Sequence, residues 1–96
     1  MMTEDQSKVK RPKITVSRLA RDADGIHKTA ILRCNQKGWG VFLSRHEVQG
    51  VITEEYNELI EAVHSGDLEK VEDELIDLAV ACLIGISSIE SNGMQW

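Results

Sequence analysis

Two short clusters of acidic residues are the part of this sequence best suited to chemistry. Glu54, Glu55 and Glu58 form one; Glu74 and Asp77 form the other, with fifteen residues between Glu58 and Glu74. Carboxylates three residues apart share a helix face. Hard oxygen ligands gathered in one place hold a divalent cation such as magnesium and leave room for phosphate oxygens.

Position separates these acids from an ordinary solvated face. At about 100° per residue, Val48, Val51, Ile52, Leu59, Ala62 and Val63 fall on one stripe, with Glu55 near its centre and Glu58 on its border. Glu54 and Glu61 lie further round, towards water. A buried carboxylate without a cation or metal partner is strongly unfavourable. Glu74 and Asp77 repeat the anomaly: they stand together above Ala81, Ile84 and Ser88 in a segment that is apolar almost all round from Leu75 onward. Such a segment reads as a central, buried helix. Lys70, one turn before Glu74, is the cation expected within reach.

The elements that must position these residues are helices. Val16, Leu19, Ala20, Ala23, His27, Ala30, Ile31 and Cys34 recur at three- and four-residue steps, which predicts a first helix over residues 16 to about 36, weakened at Gly25 and stopped by Gly38. Residues 37–40 form a turn in which Trp39 is free either to stack on a base or to pack at the bundle end. His27 is expected as a core histidine on the apolar face. Ser44 with Glu47 is a capping-box signature, so a second helix starts near residue 44 or 45 and runs to about 64. Gly66 suits a left-handed helix end and Asp67 an N-cap, so a third helix over residues 68 to about 88 folds back antiparallel, ended by residues 91–93. Across so short a loop the two acidic pairs meet at similar heights.

Composition agrees. Apolar residues make up 42% of the 96 residues and aromatics only 4%, the balance of packed helices rather than of a sandwich or barrel. The net charge of -5 disfavours a nucleic-acid scaffold, and an acidic protein acting on anionic nucleotides needs metal ions to offset repulsion. Cys34 and Cys82 match no ligand spacing and are expected as small buried hydrophobes. The longest apolar run, residues 78–86, is too short to span a bilayer, and no signal peptide is visible, so a cytoplasmic protein is expected. The basic cluster Lys8, Lys10, Arg11 and Lys13 belongs to a flexible tail over residues 1–13; residues 14–96 form one domain. Three helices cannot close around an apolar third helix. The expected fold is therefore all-α: a helical hairpin plus an N-terminal helix, completed to a four-helix-bundle-type core by homo-oligomerisation as a dimer or a tetramer of dimers.

Glu54-Glu55-Tyr56-Asn57-Glu58, followed by Glu74-Leu75-Ile76-Asp77, resembles the EExxE…ExxD signature of MazG-type all-α nucleotide pyrophosphohydrolases. The neighbouring residues 58–63 and 73–78 are similar to that family's helix context. Fainter likeness reaches upstream through His27, Ala30 and Lys37-Gly38-Trp39. The resemblance covers roughly residues 26–89. It implies that Glu55, Glu58, Glu74 and Asp77 ligate magnesium, with manganese as a substitute. It makes Glu54 an outer-shell ligand or water-orienting base and Lys70 a phosphate contact; Trp39 is a candidate for the base. Asp73 stands where many relatives carry glutamate, and the family's C-terminal basic and aromatic contributions are not recognisable. The implied reaction splits a nucleoside triphosphate (NTP or dNTP) into the monophosphate and pyrophosphate.

Two other readings compete. A di-iron carboxylate bundle needs two inward Glu-x-x-His motifs; residues 61–64 supply one set of letters, but His64 points away from Glu55 and no second motif exists. A non-catalytic nucleotide-binding or helical interaction module is the alternative, although a pure binder need not keep all four acids and Lys70.

Overall fold

A computed structural model describes residues 10–91, which form three helices and, among the described residues, no strand. Helix α1 spans Val16–Lys37, α2 Arg45–Ser65 and α3 Leu68–Glu90. The expected all-α class and helical hairpin are both present. Residues 1–9 of the expected tail and residues 92–96 lie outside the described residues.

Local chemistry sets the ends of these helices. Thr15 caps α1, its hydroxyl accepting from the Arg18 N–H at 3.1 Å. Gly25 does not interrupt the helix, because its propensity deficit of about 1 kcal/mol is small against 22 helical residues. Ser44 caps α2 by accepting from the Glu47 N–H at 3.2 Å, while Glu47 Oε1 accepts from the Leu43 N–H at 2.6 Å. The reciprocal half of the capping box thus reaches one residue further back than its usual form. Gly66 closes α2 with φ +75°, and the Asp67 carboxylate accepts from the N–H groups of Glu69 and Lys70 at 3.0 and 3.4 Å. Only Gly66 and Asp67 separate the two helices, so α2 and α3 must run antiparallel and side by side.

The hairpin is the principal packing unit, and α1 packs on α3 without approaching α2. Small residues let the helices come close: Ala30, Ala62, Val80 and Ala81 form the buried core, joined by Gly85 and Ser88. Ser88 is 1% exposed. Its Oγ donates to the Ile84 carbonyl at 2.8 Å and accepts from the Phe42 N–H at 2.9 Å, which ties the α1–α2 connection to α3.

Several positions expected on packed faces are open. His27 is exposed rather than a core histidine, and so are Val16, Leu19 and Ala23. On α3, Leu75, Cys82, Ile86 and Ile89 are exposed, and on α2 so is Val63. Cys34 is half-buried and both cysteines are free thiols. The physical reason is common to all of them. Apolar periodicity marks a face able to pack, but one chain offers each helix only one or two neighbours. No helix among the described residues is long and apolar enough to cross a membrane.

Candidate metal and phosphate site

The hairpin brings the expected ligands together. One carboxylate oxygen from each of Glu55, Glu58, Glu74 and Asp77 lies within 4.8 Å of the others. The register follows from the turn: Glu58 stands eight residues before Gly66 and Glu74 seven after Asp67, so helices of equal pitch place them at one height. The three-residue steps to Glu55 and Asp77 then add one acid from each helix on the same side.

The electrostatics are those of a site short of positive charge. Glu55 Oε2 and Glu74 Oε2 are both enclosed and accept no hydrogen bond. Burial pushes the Glu55 carboxyl above its ordinary value, and the charges of Glu58, Asp77, Glu74 and Glu54 push it further. Glu74 is raised for the same reasons, first by burial, then by Asp77 and Glu58. Enclosed carboxylate oxygens without donors, converging from two rigid helices, fit a hard divalent cation. A cation held there would keep coordination positions open for phosphate oxygens.

The cation that meets this cluster was not expected. Arg33, on α1, forms an ion pair with Asp77 through Nη2 and Oδ1. Lys70, expected as the only cation in reach, is exposed in the first turn of α3 and makes no ion pair among the described residues. Beside the cluster lies a cleft of about 360 Å³ between α1, the connection and the hairpin. It is lined by the basic Arg33 and Lys37, the acidic Glu47, Glu55 and Asp77, and the apolar Val51, Val80, Ala81 and Ile84. Pockets of ~300–1,000 Å³ with few polar groups are typical of small-molecule sites. Arg33 and Lys37 are four residues apart on α1 and flank the Ala30–Cys34 stripe. A cation bordering an apolar stripe was the available signal, but it gains meaning only once α1 is seen against Asp77.

The remaining candidates are placed as follows. Glu54 is exposed on α2, next to Glu55 but outside the four-carboxylate group. Trp39 is 65% exposed, not packed at the bundle end, and its Nε1 donates to Asn35 Oδ1 at 3.2 Å. It lines a second cleft of about 420 Å³ together with His27, Ile31 and Ser87. Cys34, Gly40, Val41 and Ile84 border both clefts, so the two adjoin. Lys70 lines neither.

Comparison with known proteins agrees with this arrangement. The profile of the phosphoribosyl-ATP pyrophosphohydrolase family, PRA-PH, matches residues 35–85, just over half of the 96 residues. No curated protein and no solved structure matches the chain. The matched span contains the end of α1, the connection and all four converging acids, while Arg33 lies two residues before it. The chain therefore belongs to the phosphoribosyl-ATP pyrophosphohydrolase family, within the MazG-like all-α nucleoside triphosphate pyrophosphohydrolases.

Proposed function

We propose that this protein hydrolyses a nucleoside triphosphate, NTP or dNTP, to the monophosphate and pyrophosphate with magnesium as cofactor. The observation that carries this reading is the pair of enclosed, donor-free oxygens on Glu55 and Glu74 inside a four-carboxylate group. Magnesium held there, or manganese in its place, would neutralise phosphate charge and activate water for attack. Glu55, Glu58, Glu74 and Asp77 hold it. Glu54, exposed one residue from Glu55, takes the proton of the attacking water on its carboxylate. The rigid hairpin fixes the α-phosphorus relative to these acids, and positioning supplies much of the acceleration in phosphoryl chemistry. Trp39 offers its face to the base in the adjoining cleft. The family's name favours phosphoribosyl-ATP as one specific triphosphate, and the same residues serve it.

We further propose that the chain works as a homodimer or a tetramer of dimers. Support comes from the exposed Leu75, Cys82, Ile86 and Ile89 on α3 and Val16 and Leu19 on α1. The cytoplasm, where free thiols stay reduced, is the compartment this reading assigns.

The test is pyrophosphate release from ribo- and deoxyribonucleoside triphosphates and phosphoribosyl-ATP, with magnesium and with EDTA, for wild type and Glu58→Ala. Magnesium-dependent monophosphate production, lost in the variant, is expected. A folded protein with no turnover on any of them supports a nucleotide-binding module instead. Light scattering after size exclusion gives the oligomeric state, and a monomer at micromolar concentration contradicts the assembly.

A further inference from the structure

Arg33 lies in the site but outside the acidic signature, and its position raises a conflict. Its guanidinium is paired with Asp77, yet Asp77 is also one of four acids whose oxygens converge as cation ligands. One guanidinium leaves most of that negative charge uncompensated, as the donor-free oxygens of Glu55 and Glu74 show. A divalent ion among the four acids neutralises more of it, but it also repels the nearby guanidinium. Arg33 has somewhere to go. Its side chain is 35% exposed, it lines the cleft together with Lys37, and α1 touches only α3. A triphosphate in that cleft presents oxygens that a planar guanidinium binds in bidentate fashion.

We infer that Arg33 is an exchangeable counter-ion: it holds Asp77 in the metal-free protein, yields that carboxylate to the divalent ion, and passes to the phosphates of the incoming nucleotide. This rests on the metal-dependent reading of the site. It assigns Arg33 two opposed effects, competition with the metal and attraction of the substrate. An arginine that merely orients Asp77 for the metal has a different signature, because its removal weakens both.

The deciding experiment is calorimetric titration of the full chain with manganese chloride, without nucleotide, for wild type, Arg33→Gln and Arg33→Lys, alongside KM and kcat for the best triphosphate. Arg33→Gln is expected to bind manganese more tightly, by roughly threefold to tenfold, while its KM rises about tenfold with kcat changed much less. Arg33→Lys keeps the charge, so its manganese affinity stays near wild type, while loss of the bidentate fork still raises KM. Unchanged or weaker manganese binding by Arg33→Gln overturns the exchange and leaves Arg33 an orienting residue. Should that variant not fold, Arg33→Lys decides alone: a wild-type KM, or a clear change in manganese affinity, is the overturning result. Failure of the underlying reading looks different, since wild type then takes up no manganese at all.

Discussion

The hairpin and the first helix are built on different terms. In α2 and α3 the link is two residues long, the contact is extensive, and the buried Ala62, Val80 and Ala81 hold the backbones close. In α1 the attachment rests on one neighbour, and residues from Val16 to His27 are almost wholly exposed. The charges divide along the same line. The four acids sit on the rigid pair, whereas Arg33 and Lys37, the cations of the cleft, sit on the lightly held helix. A metal cage needs ligands fixed in advance, while a group that must meet substrate benefits from an element that adjusts.

That division can be broken or sharpened by measurement. The largest effect belongs to the hairpin: Glu74→Gln should lower kcat/KM by at least about 100-fold and abolish manganese uptake by calorimetry. Full activity in that variant would show that the acids are not the working site. Lys70→Ala, by contrast, should cost much less than Arg33→Gln, because Lys70 lines neither cleft; kinetics on both variants rank the two helices as phosphate contacts.

Hydrogen exchange reads the same division without chemistry. Backbone amides of α1 before Ala30 should exchange on the order of 100-fold faster than those between Glu55 and Ala81, since local opening is easiest where few apolar contacts hold a helix. Equal protection at a concentration where the protein is monomeric removes the distinction.

The pH dependence of stability should change sign with metal. Glu55 and Glu74 are raised above the ordinary carboxylate value, so between that value and their raised ones the folded, metal-free chain binds more protons than the unfolded chain. Its stability is then highest below the ordinary value and declines as pH climbs through this window. Metal binding needs the same groups ionised, so its stabilisation grows over that window. Melting curves from about pH 4, near the ordinary carboxylate value, upward, in EDTA and in magnesium, should slope in opposite directions.

Two glycines give the smallest and most local contrast. Gly66 has φ +75°, so Gly66→Ala should destabilise by about 1–2 kcal/mol. Gly25 lies in mid-helix with nothing within 4 Å of where a Cβ would stand, so Gly25→Ala should stabilise by about 0.5–1 kcal/mol. Denaturant titration of both reports the sign directly.

What could be read from the residues alone follows the same boundary. Ser44, Gly66 and Asp67 announce the hairpin because caps and left-handed turns are local chemistry, and all three occupy the expected positions. The acids were legible because Glu55 interrupts an apolar stripe, and their convergence needed only a short link between two helices. Arg33 was not legible, since its partner is 44 residues away and the pairing depends on how α1 rests on α3. Exposure of His27, Cys82 and Ile86 was hidden for a related reason: periodicity says which way a side chain points and nothing about what stands opposite. Trp39 falls between these cases, its turn foreseen and its position beside a second cleft not.

The two-residue link between α2 and α3 also sets the order in which the molecule comes together. Contacts between residues close in sequence form with little loop-closure entropy, and such topologies reach the native state quickly. The four acids lie within residues 55–77, so the topology predicts that they meet before α1 docks. Their mutual repulsion then opposes the nucleus itself. With the proposed magnesium site forming in the hairpin, a divalent ion would relieve that repulsion, and stopped-flow refolding traces in magnesium should run faster than those in EDTA.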